Sequence, residues 1–157
     1  MSDRGKVLSS RILRELGDIK VVVKRAIDGF DSAKRNQDDL YLDAVALNLH
    51  AFYSATERVF EKIANDIDDS VPTGANWHRE LLDQMVLEIE GIRPAVLSAE
   101  LKEELEDYRG FRHVVRNVYT FHLNPKKLAV LVAALSSVMD RVEVELTGFA
   151  IFLQDCS

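Results

Sequence analysis

Five basic residues lie in a stretch of the chain that carries no acidic side chain. From Tyr108 to Met139 the sequence runs for 32 residues without an aspartate or a glutamate. The cations inside this window are Arg109, Arg112, Arg116, Lys126 and Lys127. Guanidinium and ammonium groups bind phosphate oxygens through charge-assisted hydrogen bonds. The window therefore predicts a surface that binds a phosphate-bearing ligand.

The three arginines fall on one side of a helix. At 3.6 residues per turn, Arg109 and Arg116 lie within about 60° of Arg112, and Tyr119 lies about 20° from it. The opposite side is apolar and carries Phe111, Val114, Val115, Val118 and Phe121. This pattern predicts a helix that packs through its apolar side and presents its arginines to solvent. A solvated arginine face without a ligand is the structural alternative.

His113 adds a group that can transfer a proton near neutral pH. It lies about 60° from Arg116 on the same polar side of the helix. Arginine, histidine, asparagine and tyrosine side chains together can stabilise a charged phosphodiester transition state without a metal. We expect His50 and His78, which lie far from this cluster in the sequence, to be structural or exposed.

Common catalytic motifs are missing from the sequence. It has no Glu-x-x-His pair, no His-Glu-x-x-His, no paired cysteines, no Gly-rich phosphate loop and no Gly-x-Ser-x-Gly elbow. Asp66, Asp68 and Asp69 lack the glycine and glutamate of a calcium-binding loop, so we expect a solvated turn there. We expect no metal and no cofactor.

Composition predicts one helical domain over residues 1–157. Apolar residues make up 47% of the chain, and only seven glycines and three prolines occur. Such a composition argues against disorder and against a turn-rich β fold. The net charge is −6, so any nucleic acid must bind a local basic surface.

The chain carries the features of a cytoplasmic protein. Cys156 is the lone cysteine, which is typical of a reducing compartment. The N-terminal segment lacks the long apolar stretch of a secretory signal, and the longest apolar stretch, residues 128–135, is too short to span a membrane.

Hydrophobic periodicity predicts five helices. Apolar residues recur at spacings of three and four in segments of about 7–34, 42–63 and 128–149. A shorter helix is expected from about residue 76 to 89, and a fourth from the N-cap Ser98 to about residue 121. Asn124 and Pro125 form a start signal for the fifth. The short links between these segments predict an all-α, antiparallel up-and-down bundle of four to five helices.

One helix carries a motif that resembles the HEPN superfamily, and in particular HepT-like ribonuclease toxins. The motif reads Phe111-Arg112-His113-x-x-Arg116-Asn117-x-Tyr119. In that family an arginine is followed five positions later by a histidine, and two positions further by a tyrosine. The corresponding residues here are Arg112, Asn117 and Tyr119, so asparagine replaces the histidine.

The resemblance implies a function and partners. Such proteins are metal-independent RNA-cleaving toxins that act as homodimers. Their partner is a minimal nucleotidyltransferase antitoxin, which adenylylates the motif tyrosine. Carried over, Arg112 and Asn117 take the catalytic positions, and Tyr119 is the modified residue. His113 has no position in the family motif and joins the catalytic group because it lies on the same polar face as Arg116. Arg109, Arg116, Lys126 and Lys127 then bind the RNA, the two lysines forming its rim.

Asn117 leaves two functions open. Asparagine has no proton to exchange near neutral pH and cannot act as a general acid or base. Either the chain is a ribonuclease, in which His113 has taken over proton transfer or catalysis is weak, or it is a non-catalytic nucleotide- or partner-binding subunit of a nucleotidyltransferase. In both cases the helix bearing Arg112 is expected to hold the site.

Overall fold

The computed structural model describes residues 2–117 and 123–156. Within these ranges the chain is an all-α bundle without strands, as its periodicity predicts. The helices are α1 (Ser2–Asn36), α2 (Leu40–Ile63), α3 (Trp77–Met85), α4 (Ala99–Asn117) and α5 (Pro125–Asp155). None of the described helices is both long enough and apolar enough to cross a membrane.

Neighbouring long helices run antiparallel. The hydroxyl of Ser9, early in α1, donates a hydrogen bond to the carbonyl oxygen of Ala150, late in α5, at 2.9 Å. Further along α1, Lys20 pairs with Glu143, which lies earlier in α5, at 2.6 Å. Helices α4 and α5 also run antiparallel, because Ser98 at the start of α4 bonds Glu145 while Tyr108 reaches back to Leu131.

The predicted apolar stripes form the core. Along α2 the regularly spaced residues Val45, Leu49, Phe52, Thr56, Val59 and Ile63 are all buried. The equivalent stripes of α1 and α5 pack against them in one continuous cluster. Burying these side chains is the main favourable term for folding, because it removes apolar surface from water. The stripes thereby fix which face of each helix remains available for a site.

Two predicted helix starts are confirmed by their capping bonds. The Ser98 hydroxyl accepts a hydrogen bond from the backbone N–H of Leu101 at 3.1 Å. The Asn124 side chain accepts one from the N–H of Lys126 at 2.9 Å. Each bond satisfies a backbone donor that the helix itself leaves unpaired.

The link from α2 to α3 differs from its prediction. Helix α2 continues into a π-helical turn, Ala64–Asp68, and α3 ends at Met85 instead of extending to about residue 89. The expected solvated turn is wrong for Asp68, whose side chain is only 2% exposed and pairs with the fully buried Arg93. Arg93 also donates to the carbonyl oxygens of Gln84, Leu87 and Pro94. A single side chain therefore ties together the turns that flank α3.

Candidate functional site

A recess of about 360 Å³ opens between α4 and the beginning of α3. Its lining residues are His78, Arg109, Arg112, His113, Arg116 and Asn117. No aspartate or glutamate of the described ranges lines it. The structure thus brings five of the sequence-predicted site residues to one concavity and adds one residue, His78, that the sequence did not point to.

Arg112 lies at the floor of the recess and is buried. Only 6% of the residue is exposed. Its Nη1 donates to Glu57 Oε1 at 2.8 Å and its Nη2 to Oε2 at 3.3 Å. The expectation that Arg112 faces solvent is wrong, because a long side chain can turn from its helix toward a carboxylate on a neighbouring one. Val114, expected on the packed side, is 43% exposed.

Glu57 belongs to α2 and is itself buried, with 3% of the residue exposed. A buried carboxylate requires a partner of opposite charge, since removing an isolated charge from water costs a large free energy. Arg112 provides that charge through a bidentate ion pair, in which each terminal nitrogen donates to one carboxylate oxygen. The aromatic ring of Tyr53 lies beneath the same guanidinium, with its centroid 5.1 Å from Cζ. The pair fixes α2 against α4 at the base of the recess.

His78 contacts both members of this pair. Its Nδ1 lies 2.8 Å from Glu57 Oε2 and 2.7 Å from Arg112 Nη2. Its side chain remains 27% exposed, so the ring joins the buried pair to the open recess. His78 lies 21 residues from Glu57 and 34 from Arg112. Spacing along the chain therefore could not reveal the contact.

Helix α2 contributes a second histidine near the arginines. Burial, followed by the charges of Arg112 and Arg116, lowers the pKa of His50 below its ordinary value. Positive neighbours disfavour the charged imidazolium, so His50 is held neutral near pH 7. His50, Ser54 and Glu57 follow the spacing i, i+4 and i+7 along α2. This row of polar residues on one face of α2 is the sequence pattern that could have indicated that α2 contributes to the site.

The rim of the recess holds the remaining predicted residues. Arg109 is half-buried and pairs with Glu106 on its own helix at 2.7 Å. Arg116 and His113 are exposed, and Arg116 has no ion pair with any described residue. Asn117 donates from its side-chain amide to the carbonyl oxygen of His113 at 2.7 Å. Arg116 is therefore the arginine best able to meet an incoming anion.

Three further predicted features lie away from the recess or outside the described residues. Lys126 and Lys127 are exposed in the first turn of α5 and do not line the recess. Tyr119, the predicted modification site, lies outside the described residues.

In the part of the chain that is described, no three histidine, cysteine, aspartate or glutamate side chains form a group that could hold a metal ion.

Comparison with known proteins adds one match. A family model described as HepT-like protein matches residues 44–153, which is more than two thirds of the chain. The matched segment includes every residue that lines the recess, together with Glu57 and His50. No curated protein and no solved structure matches the chain.

Proposed function

This chain belongs to the HepT-like protein family, and on that premise we propose that it is a metal-independent endoribonuclease of a toxin-antitoxin pair. The single observation that carries the proposal is the recess, whose lining combines three arginines, two histidines and an amide without a carboxylate. Such a lining attracts a phosphodiester, and its volume falls in the range of ligand-binding clefts. The proposed substrate and the lone cysteine both fit a cytoplasmic protein.

The proposed reaction uses the RNA itself as the nucleophile. The 2′-hydroxyl of one ribose attacks the neighbouring phosphorus, and the bond from phosphorus to the 5′-oxygen of the next nucleotide breaks. The products are a 2′,3′-cyclic phosphate and a free 5′-hydroxyl. Extra negative charge develops on the phosphate oxygens during this step, so fixed cations nearby lower the barrier. DNA lacks the 2′-hydroxyl and is not cleaved by this route.

The proposed roles follow from exposure and charge. Arg116 binds the phosphate first because it is exposed, and Arg109 extends the cationic rim. Arg112 is held by Glu57 and acts from the floor of the recess. Asn117 hydrogen-bonds the RNA, and His113 transfers a proton. Lys126 and Lys127 lie outside the recess and bind phosphates of the flanking RNA backbone.

The assembly proposed from the family layout is a homodimer with a nucleotidyltransferase antitoxin as its partner. Each chain supplies one recess, and two recesses facing one another make a longer cleft for RNA. In this proposal the partner modifies Tyr119 and thereby inactivates the ribonuclease. Light scattering of the purified chain at micromolar concentration is expected to give the mass of a dimer; a monomer alone would contradict the assembly.

Cleavage of RNA in the presence of EDTA tests the enzymatic proposal. The wild-type chain is expected to cleave, because no metal is needed. Arg116→Ala and Arg112→Ala are expected to reduce the rate, and circular dichroism checks that each variant remains helical. Arg25→Ala, which removes an exposed arginine of α1, is the matched control and is expected to cleave normally. A wild-type chain that binds RNA but leaves it intact would rule out the nuclease.

A non-catalytic nucleotide- or partner-binding subunit is the second candidate. Asn117 favours it, because its amide bonds its own helix and has no proton to exchange near neutrality. Binding of RNA or of a nucleotidyltransferase without cleavage supports this alternative. Asn117→His restores the family motif, and cleavage gained only in that variant would identify the natural chain as a binding subunit.

A further inference from the structure

His78 Nδ1 lies between a hydrogen-bond acceptor and a hydrogen-bond donor. The carboxylate oxygen of Glu57 is 2.8 Å away, and the guanidinium nitrogen of Arg112 is 2.7 Å away. A neutral imidazole carries a proton on one ring nitrogen and a lone pair on the other. Nδ1 can therefore satisfy only one of these two neighbours at a time.

The neighbour to which Nδ1 is hydrogen-bonded determines whether Nε2 acts as a base or as an acid. When Nδ1 carries the proton and donates it to Glu57, Nε2 has a lone pair and acts as a base. When Nδ1 accepts from Arg112, Nε2 carries the proton and acts as an acid. A carboxylate that is hydrogen-bonded to Nδ1 also stabilises the imidazolium that forms when Nε2 accepts a proton. The buried pair is thus placed to support both directions of proton transfer.

The remainder of the ring is positioned for use. Its centroid lies 3.6 Å from that of the Trp77 ring, which restricts its rotation. Nε2 has no hydrogen bond to residues 2–117 or 123–156, while the ring lines the same recess as His113 and Arg116. His113 is exposed and has no comparable anchor among the described side chains. Catalytic groups held in place by packing and by further hydrogen bonds avoid the cost of ordering during the reaction.

We propose that His78 is the catalytic base of RNA cleavage, supplying on α3 the imidazole that Asn117 does not provide on α4. This inference rests on the proposed ribonuclease function. Nε2 takes the proton of the 2′-hydroxyl as the bond from the 2′-oxygen to phosphorus forms. The bond from phosphorus to the 5′-oxygen breaks, and that oxygen takes a proton from His113 in its imidazolium form. Both histidines then exchange protons with water and return to their starting states.

Charged groups from two helices surround His78. Helix α2 brings Glu57 and Glu61 toward the ring, and α4 brings Arg112 and Arg109. Burial and the charge of Glu57 raise the pKa of Glu61 above its ordinary value.

Replacing His78 in two ways separates catalysis from structure. In His78→Asn the amide N–H occupies the place of Nδ1–H and can still donate to Glu57, but nothing replaces Nε2. In His78→Ala the ring is removed and leaves space for free imidazole. We expect both variants to cleave RNA in EDTA about 100- to 10,000-fold more slowly than wild type. Binding of RNA whose 2′-hydroxyls are replaced by fluorine, which cannot be cleaved by this route, is expected to change less than 3-fold.

Two further readouts distinguish a base from a structural residue. Millimolar imidazole is expected to restore cleavage to His78→Ala, and the rise of the wild-type rate with pH is expected to disappear in His78→Asn. Glu80→Gln, an exposed change on the same helix, is the matched control and is expected to retain the wild-type rate. Recovery of full activity by His78→Asn would overturn the inference, because a structural hydrogen bond alone would then suffice.

The outcomes for the two proposals can be told apart. If wild type cleaves and Arg116→Ala does not, while His78→Asn cleaves at the wild-type rate, the ribonuclease stands and the role of His78 is overturned. If wild type leaves RNA intact, the ribonuclease is overturned together with the inference that rests on it, whether or not Asn117→His cleaves. Imidazole-dependent cleavage by His78→Ala supports both.

Discussion

Individual side chains decide how the arginine cluster is used. Arg109, Arg112 and Arg116 lie close together on α4, yet their surroundings differ. Arg112 is buried against Glu57, Arg109 pairs on its own helix, and Arg116 stays exposed. Their contributions to stability and to ligand binding therefore differ, although their spacing alone would make them equivalent.

Glu57→Gln tests the buried pair. The change leaves the Arg112 guanidinium buried without a counter-charge, and breaking a buried ion pair in this way costs about 3–5 kcal/mol. We expect the free energy of unfolding in urea to fall by about 3 kcal/mol, since glutamine still offers one acceptor oxygen. The pair is buried on both sides, at 8% and 4% side-chain exposure, so little screening by water is expected.

The matched control for Glu57→Gln is an exposed ion pair. Lys24→Gln removes a charge from the Lys24–Asp28 pair of α1, whose side chains are 76% and 60% exposed. Such pairs contribute little, and the free energy of unfolding is expected to change by less than about 0.5 kcal/mol. Equal losses in the two variants would mean that Glu57 contributes no more than a surface carboxylate.

At the scale of elements, α3 depends on its neighbours for its position. It has only nine residues, and an isolated helix of that length is unstable in water. Asp68 holds it from the π-helical turn, through ion-pair hydrogen bonds to Arg93 and a 2.8 Å bond from the Gln84 side chain. Asp83 in α3 also pairs with Lys102 of α4 at 2.6 Å. These contacts place His78 beside Arg112.

Asp68→Asn is expected to loosen α3. The change removes the charge that balances the buried Arg93, so backbone amides of α3 should exchange with deuterium faster, while those of α5 change less. Because α3 carries His78, we expect RNA cleavage to fall in parallel. Hydrogen exchange followed by mass spectrometry measures the first effect, and the EDTA cleavage assay measures the second.

Asp69→Asn is the matched control for Asp68→Asn. Asp69 is exposed and has a left-handed backbone with φ of +52°, a conformation that asparagine adopts as readily as aspartate. Exchange in α3 is expected to stay at the wild-type level. Equally fast exchange in both variants would show that loss of a charge anywhere in this turn is enough to loosen α3. That result would contradict the role assigned to Asp68.

At the scale of the whole molecule, net charge and local charge oppose each other. The chain carries a charge of −6 and repels a polyanion at long range, while the recess presents arginines at short range. RNA is therefore expected to bind weakly outside the recess and to depend on a few phosphate contacts inside it.

The salt dependence of RNA binding measures how many phosphate contacts form in the recess. For single-stranded nucleic acid, the slope of log K against log salt changes by about 0.7 for each phosphate neutralised. We expect Arg116→Gln to lower the magnitude of the slope by about that amount, measured by fluorescence anisotropy with 2′-fluoro RNA. Arg25→Gln on α1 is expected to leave the slope unchanged. An unchanged slope for Arg116→Gln would mean that this residue does not bind phosphate.

The sequence alone determined the long helices α1, α2 and α5 of this bundle. The apolar stripes of α1, α2 and α5 and the caps at Ser98 and Asn124 were predictable, because helix periodicity and capping depend on residues no more than a few positions apart. The concentration of arginines on α4 was also visible in the sequence.

Only the tertiary structure decided what those arginines contact. Glu57, His78 and Arg112 come from three helices, and Asp68 and Arg93 from two separate links. No local pattern specifies such pairs, because they form where the apolar stripes bring distant segments together. Burial then selects the partner, since a charge removed from water must lie next to an opposite charge. For that reason the long helices followed from the sequence, while the burial of Arg112 and the place of His78 in the recess required the packed bundle.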